Sequence, residues 1–211
     1  LSTGDYSQLE DLVRGLMERF REKRVSLSLP SLRLDSFAKE LAEEVQKVRK
    51  TGLTFAPEAG TQRLRDVINK GITEEDLLTS VRDAFSSGWD GVKLYFMIGL
   101  PEETTEDLEG IGDLARKIKD CYYELRKGRN TNRLRITVST SCFVPKPYTP
   151  FQWVSQNTID EFKEKQDFLQ KILRIKNVEY NWHDPELSFL EGVFARGDRR
   201  LGKVLRAAWE K

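Results

Sequence analysis

The sequence predicts an α/β fold built on a parallel sheet, and three observations carry that reading. Segments with apolar residues at helical spacing alternate with short apolar or alternating runs. Glycines and capping residues punctuate them at regular intervals. The most apolar run, GVKLYFMIGLP at 91–101, suits a central parallel strand covered on both faces. Strands and helices alternating in this way make right-handed crossovers, giving either an open doubly wound sheet or an arc of barrel. In both, ligands gather at the carboxyl ends of the strands, where PSLR, PEAG, GLPEET and PKPYTP fall.

Each element follows from local chemistry. Residues 7–23 place Leu9, Leu12, Val13, Leu16, Met17 and Phe20 on one helical face, with Asp5 or Ser7 as cap. Residues 24–34 alternate apolar residues with serines until Pro30 stops the ladder, which predicts a strand ending near Leu29. Asp35 or Ser36 caps a second helix, Gly52 ends it, and LTFAPEAG comes next as strand and loop. A short helix over 61–70 stops at Gly71, and Thr73 with Asp76 forms a capping-box pattern heading the next, which Gly88 closes. After the apolar strand, Thr104 or Thr105 caps a helix to about Lys127, and LRITVSTSCFV makes another strand. Pro145, Pro147 and Pro150 interrupt the segment after that strand, and Asn157 or Thr158 then caps a helix to about Arg174. The remainder departs from the repeat. It reads as a C-terminal extension over 177–211 with one helix from about Arg199, after a barrel-like unit over 1–176.

Composition excludes several function classes. With 211 residues and 38% hydrophobic content, the chain can bury one sizeable core. Lys plus Arg is 35 against 34 for Asp plus Glu, so the net charge of +1 gives no overall field for a polyanion or a membrane surface. No stretch reaches the roughly 18 apolar residues of a membrane span, and the start lacks a basic-then-apolar signal, so a cytoplasmic protein without membrane contact is expected. LSTGD reads as a strand end running into a turn, and the chain is expected to be a fragment of a longer protein, with an exposed sheet edge able to pair in a dimer. Cys121 and Cys142 read as reduced thiols and are too few to hold an iron–sulfur cluster alone, so no metal ligands are assigned here.

Several residue groups carry candidate chemistry. Glu58, just past a strand, suits a ligand's hydroxyls or amine, or else complements the dipole of the following helix. Arg63, Arg65 and Lys70 suit a ligand carboxylate or are solvated helix charges. Gly99, Leu100 and Pro101 let backbone approach a flat ligand, or make a simple turn. The GxGxxG and GxxxxGK[ST] loops are absent, which removes ordinary dehydrogenase and NTPase readings. His183 beside Asp184 is either an acid–base pair or a structural element. ARGDRR at 195–200 suits a contact with another domain or an anionic substrate, or a surface turn. Tyr148, Phe151 and Trp153 beside Lys146 either stack on RNA bases or, the favoured alternative, seal the edge of the barrel.

Taken together, LSLPSLRLD, GLTFAPEAGTQRLRDVINKG, VKLYFMIGLPEETTEDL, CFVPKPYTPFQW and HDPELSFLEGVFARGDRR resemble the radical S-adenosylmethionine enzymes, in particular their cobalamin-domain-linked branch. The resemblance spans nearly the whole chain. It implies a partial parallel (β/α) barrel of the radical S-adenosylmethionine type, lacking its N-terminal strands and running from about the end of strand two to strand six. It also implies S-adenosylmethionine and a 4Fe-4S cluster at the rim, the cluster held by a CxxxCxxC loop upstream of this chain, which would leave the enzyme fragment inactive as cut, and cobalamin through an upstream domain. The reaction implied is adenosyl-radical or methyl-transfer chemistry, its substrate an RNA, a protein or a metabolite. By the same resemblance, Glu58 contacts the cofactor's ribose or amino acid portion, and Lys70, with Arg63 nearby, meets its carboxylate. Ile98 to Pro101 lie along the adenine, Ser28 or Ser31 ends the third strand, and Ser139 to Phe143, with Cys142, form a sixth strand closing over the adenine. Tyr95 falls where some relatives place a ribose-binding carboxylate, and a phenol carries no such charge.

Overall fold

The computed structural model describes residues 6–20, 23, 53–126 and 133–211. The strand expected to end near Leu29, the helix after it, and Ser28 and Ser31 with them lie outside the described residues. Helix α1 (Leu9–Phe20) buries Leu9, Val13 and Met17, an i, i+4, i+8 stripe, as the apolar spacing predicts.

Strands β1 (Leu53–Glu58), β2 (Gly91–Ile98), β3 (Arg135–Cys142) and β4 (Val178–Trp182) form one sheet in the order β1-β2-β3-β4. Every neighbouring pair is parallel, with Phe55 opposite Leu94, Leu94 opposite Val138 and Val138 opposite Tyr180. Helices α2 (Gln62–Val67), α3 (Glu74–Ser86), α4 (Thr105–Leu125) and α5 (Ile159–Ile172) run between the strands, and α6 (Pro185–Arg196) and α7 (Leu201–Trp209) come after them. Among the described residues the fold is α/β with a four-stranded parallel sheet, the arrangement of a partial (β/α) barrel.

Helix starts obey the capping chemistry. Thr73 Oγ1 accepts from the Asp76 amide at 3.1 Å while the Thr73 amide donates to Asp76 Oδ2 at 2.9 Å. Thr104 with Asp107 and Thr158 with Glu161 repeat the box, so Thr104 and Thr158 are the caps among the paired alternatives. Val92, Leu94, Phe96 and Ile98 of β2 join Ile136, Val138 and Cys142 of β3 on the helix side, meeting Val81 and Phe85 of α3 and Ile111, Leu114 and Ile118 of α4. This is the main core. A smaller cluster of Ala59, Leu64, Leu100 and Phe143 closes over the C-terminal end of the sheet, with Met97 and Phe151 packed against it.

Two expectations change. β2 is central but has only one apolar face: Lys93, Tyr95 and Met97 alternate to the other side and are not fully buried. The segment assigned to an extension from 177 supplies β4, so the repeat runs one strand further and β3 is an interior strand. β4 escaped notice because it is short and at the edge of the described sheet, with Glu179, Asn181 and Trp182 exposed. Helix α6 was missed as well, since its apolar residues run almost without a break through FLEGVF.

Candidate functional site

The C-terminal ends of β1 and β2 meet at a rim. Register slips between Phe55 and Glu58, and Glu58 takes φ 66° while the Ala59 amide donates to the Pro57 carbonyl at 2.8 Å. A non-glycine residue in that region costs roughly 1–2 kcal/mol. The bend turns the Glu58 side chain toward the turn after α2, where Lys70 Nζ lies 3.2 Å from Glu58 Oε1. Lys70 itself is fixed by its amide, which donates to the Arg65 carbonyl at 2.8 Å. Both side chains remain reachable, at 26% and 30% exposure for Glu58 and Lys70.

Arg63 does not join them. Its guanidinium pairs with Asp107 and donates to the Glu102 carbonyl at 2.9 Å, tying α2 to the start of α4. Asp107 is buried and also accepts from the Thr61 hydroxyl and from the Thr104 amide at 2.8 Å. Burial alone would raise its pKa, yet the hydrogen bonds from Thr61, Thr104 and Arg63 prevail and hold it below the ordinary value. Arg65 is no solvated helix charge either. It is buried, donates to the Ala59 carbonyl at 2.8 Å, and its Nη2 finds no partner among the described residues.

At the end of β2 the Gly99 amide donates to both carboxylate oxygens of Glu103, at 3.0 and 2.9 Å, and Lys165 Nζ sits 2.5 Å from Glu103 Oε1. The Ile98 carbonyl accepts from the Phe143 amide at 2.8 Å, and the Ile98 side chain is buried on the helix side. Two polar groups that the sequence left free for a flat ligand are therefore engaged within the protein. Gly99 has φ +76°, and a Cβ there would meet Asn157 Oδ1 and Phe162 Cε1, each at 2.5 Å. Glycine is required by helix packing as well as by conformation. Pro101 is half-buried in the turn beyond it.

Cys142 does not face the rim. It is buried on the helix side, with Gln166 Nε2 3.8 Å from its sulfur. Strand alternation puts Ser139 and Ser141 on the opposite face instead. Burial raises the pKa of both Cys142 and Cys121, so both stay thiols at neutral pH. Neither should react with iodoacetamide at pH 7.5 within the time that denatured protein is fully labelled, as intact-mass measurement would show. His183 is exposed, and its backbone continues the β4 pairing by donating to the Thr140 carbonyl at 3.0 Å. Asp184 caps α6, accepting from the Glu186 amide at 2.7 Å, with Pro185 opening the helix. HDPE is thus a strand end and a helix start. Within ARGDRR, Asp198 pairs with Arg200 at 2.9 Å, a local turn contact. Of the loop aromatics, Phe151 packs on Phe143 with ring centroids 6.1 Å apart, whereas Tyr148 and Trp153 are 99% and 84% exposed and seal nothing among the described residues.

Sequence reasoning missed Asp107, Glu103 and Lys93. The signal for Asp107 was TTED, a capping box one position inside a stretch already expected to be a helix start.

A parallel β/α arc with a part-exposed ion pair at its C-terminal rim is the architecture of a barrel-type α/β fold. The sequence profile of the Radical SAM superfamily matches residues 2–115, more than half of the chain, and the chain belongs to that family. An uncharacterized protein of Methanocaldococcus jannaschii, MJ0966, is 33% identical over 208 residues, 97% of this chain and 41% of its own length. The chain therefore spans about two-fifths of that relative.

The family's chemistry uses S-adenosylmethionine with a 4Fe-4S cluster. The donor set fits the first: Glu58 and Lys70 present the opposite charges that an amino acid's ammonium and carboxylate need. It does not fit the second, because the sequence has two cysteines, both buried thiols, and no described group of three His, Cys, Asp or Glu could hold a metal. Among the described residues no helix is long and apolar enough to cross a membrane.

Proposed function

We propose that this chain is the part of a radical S-adenosylmethionine enzyme core that holds the cofactor's amino acid end, the cluster ligands lying in a CxxxCxxC loop elsewhere in a longer protein. The cofactor supplies, when bound, an adenosyl radical or a methyl group. The observation that supports this reading is the Glu58–Lys70 pair, part-exposed at the end of the sheet where parallel β/α folds bind ligands. Lys70 would take the carboxylate and Glu58 the ammonium, exchanging their mutual contact for two charge-assisted ones. Binding by the polypeptide is then a matter of orientation and water exclusion, the latter served by the apolar cluster of Leu64, Leu100 and Phe143 over the strand ends. Cobalamin use and an upstream partner domain belong to the same proposal and rest on the resemblance, and dimerisation through a sheet edge rests on the pairing capacity of an exposed strand.

Reconstitution of the longer natural protein with iron and sulfide should give cluster absorbance and reductive cleavage of S-adenosylmethionine. Lys70→Ala is expected to weaken cofactor binding about tenfold, as for a lost charged hydrogen bond, with the cluster spectrum unchanged. No cluster and no cleavage in the reconstituted protein would end the proposal.

A further inference from the structure

We propose that the sheet face opposite the main core is an oxyanion-binding subsite, centred on Lys93, that anchors a carboxylate or phosphate of the substrate. Calling its ligand the substrate rests on the function proposed above; the anion site itself stands on separate residues. In closed eight-stranded (β/α) barrels the inward positions are filled mostly by Val, Ile and Leu. Here, Met97 apart, those of β2, β3 and β4 are polar. Thr54, Lys93, Thr137 and Glu179 stand in one cross-strand row, and Tyr95, Ser139 and Asn181 in the next, one step nearer the rim.

Lys93 is the distinctive member. It is half-buried, and its ammonium lies 4.6 Å from the centroid of the Tyr95 ring instead of extending into water. It makes no ion pair among the described residues, although Lys70, Lys146 and Lys165 each find a carboxylate. A cation on a central strand, held against a ring on a polar sheet face, is poised for an anion that the described chain does not supply. Ser139, only 8% exposed, and Thr137 supply hydroxyls on the adjacent strand, and Asn181 an amide on the strand after it. Glu179 accepts from Asn181 Nδ2 at 3.4 Å, on β4, two strands away from Lys93. The position relative to the rim is set by register. Tyr95 precedes Phe96, which stands opposite Glu58, so the ammonium over the Tyr95 ring sits just below the level of the Glu58–Lys70 pair. A ligand anchored there would reach the rim from inside the arc.

The test uses the intact natural protein with its lysines reductively dimethylated with a carbon-13 label, which keeps the charge and gives each lysine a resolvable methyl signal. The Lys93 signal is the one absent from Lys93→Arg. Inorganic phosphate and succinate are titrated separately at constant ionic strength, the first standing for a phosphorylated ligand and the second for a carboxylate. The expected result is a saturable shift of the Lys93 signal with at least one anion, while the exposed Lys203 responds only weakly and linearly. Lys93→Met should weaken the same anion about tenfold, read from phosphorus-31 line width or calorimetry, and Lys93→Arg should retain it. A Lys93 signal that moves no more than that of Lys203 with either anion, or anion binding unchanged in Lys93→Met, would overturn the proposal. Adding S-adenosylmethionine and following the Lys70 signal tests the cofactor site separately, so either reading can fail while the other stands.

Discussion

Gly60→Ala should destabilise the protein by about 3 kcal/mol, at the upper end of overpacking costs, and is among the most damaging single-methyl additions in the chain. The β1–α2 loop and helix α4 touch here backbone to backbone. A Cβ on Gly60 would lie 2.1 Å from the Asp107 carbonyl oxygen and 2.6 Å from the Ile111 amide nitrogen. Gly110 makes the reciprocal approach, its own Cβ position falling 2.7 Å from the Gly60 carbonyl oxygen. Backbone atoms cannot rotate away as a flexible side chain can, so relief requires α4 to move. That helix carries Ile111, Leu114 and Ile118 into the main core, and moving it opens gaps there. Denaturant unfolding should show a lower midpoint with an unchanged slope. Gly202→Ala is the contrasting control, in helix α7 with nothing within 4 Å of its Cβ position. It should stabilise that helix by about 0.5–1 kcal/mol. Equal midpoints for Gly60→Ala and the parent would refute the close-contact account.

Asp107→Ala is expected to cost about 2–3 kcal/mol, the loss of a charge-assisted hydrogen bond to the half-exposed Arg63 together with a helix-cap contact. The carboxylate gathers Thr61 from the β1–α2 loop, Arg63 from α2, and the amide and hydroxyl of Thr104, the last two at 2.8 and 3.0 Å. Its loss frees the first turn of α4 and leaves Arg63 its contact with the Glu102 carbonyl. The pH dependence has a definite sign. Asp107 in the folded protein titrates below its ordinary value of 3.8, so across the interval between the two values the unfolded chain binds the extra proton. The contribution is fully present above that ordinary value and disappears as pH falls through the folded one. Between pH 5 and pH 2 the parent should lose stability more steeply than Asp107→Asn, which cannot titrate there. Parallel curves for the two would mean that the carboxylate is not held in its charged form.

Much of this architecture was legible in local chemistry. Thr73 with Asp76 and Thr158 with Glu161 announce helix starts, because a side-chain oxygen three residues from the cap satisfies amides that the helix leaves open. GVKLYFMI reads as strand from its composition, yet that same composition concealed the alternation which sends Lys93 and Tyr95 away from the helices. Glu58 and Lys70 were both legible as candidates. That they pair with each other, while Arg63 turns to Asp107, depends on a register slip in β1 and on the path of the chain after α2, neither of which is written locally. Cys142 was misplaced for a related reason: an odd or even position in a strand decides its face, and a strand's two faces look alike until a neighbour is packed against one of them.

The sequence by itself determined the alternation of strands and helices, the parallel sheet that such alternation requires, the helix caps, and the absence of the two common nucleotide loops. These depend on interactions spanning a few residues. Tertiary structure alone decided that β4 extends the sheet, that the Gly99 amide is taken by Glu103 and Lys165 lies beside them, and that one sheet face stays polar with Lys93 resting on Tyr95. Each joins groups distant in sequence or sets the face they look toward. Such contacts form only where separate segments are brought to one place, and their free energy depends on burial and distance that no single segment specifies.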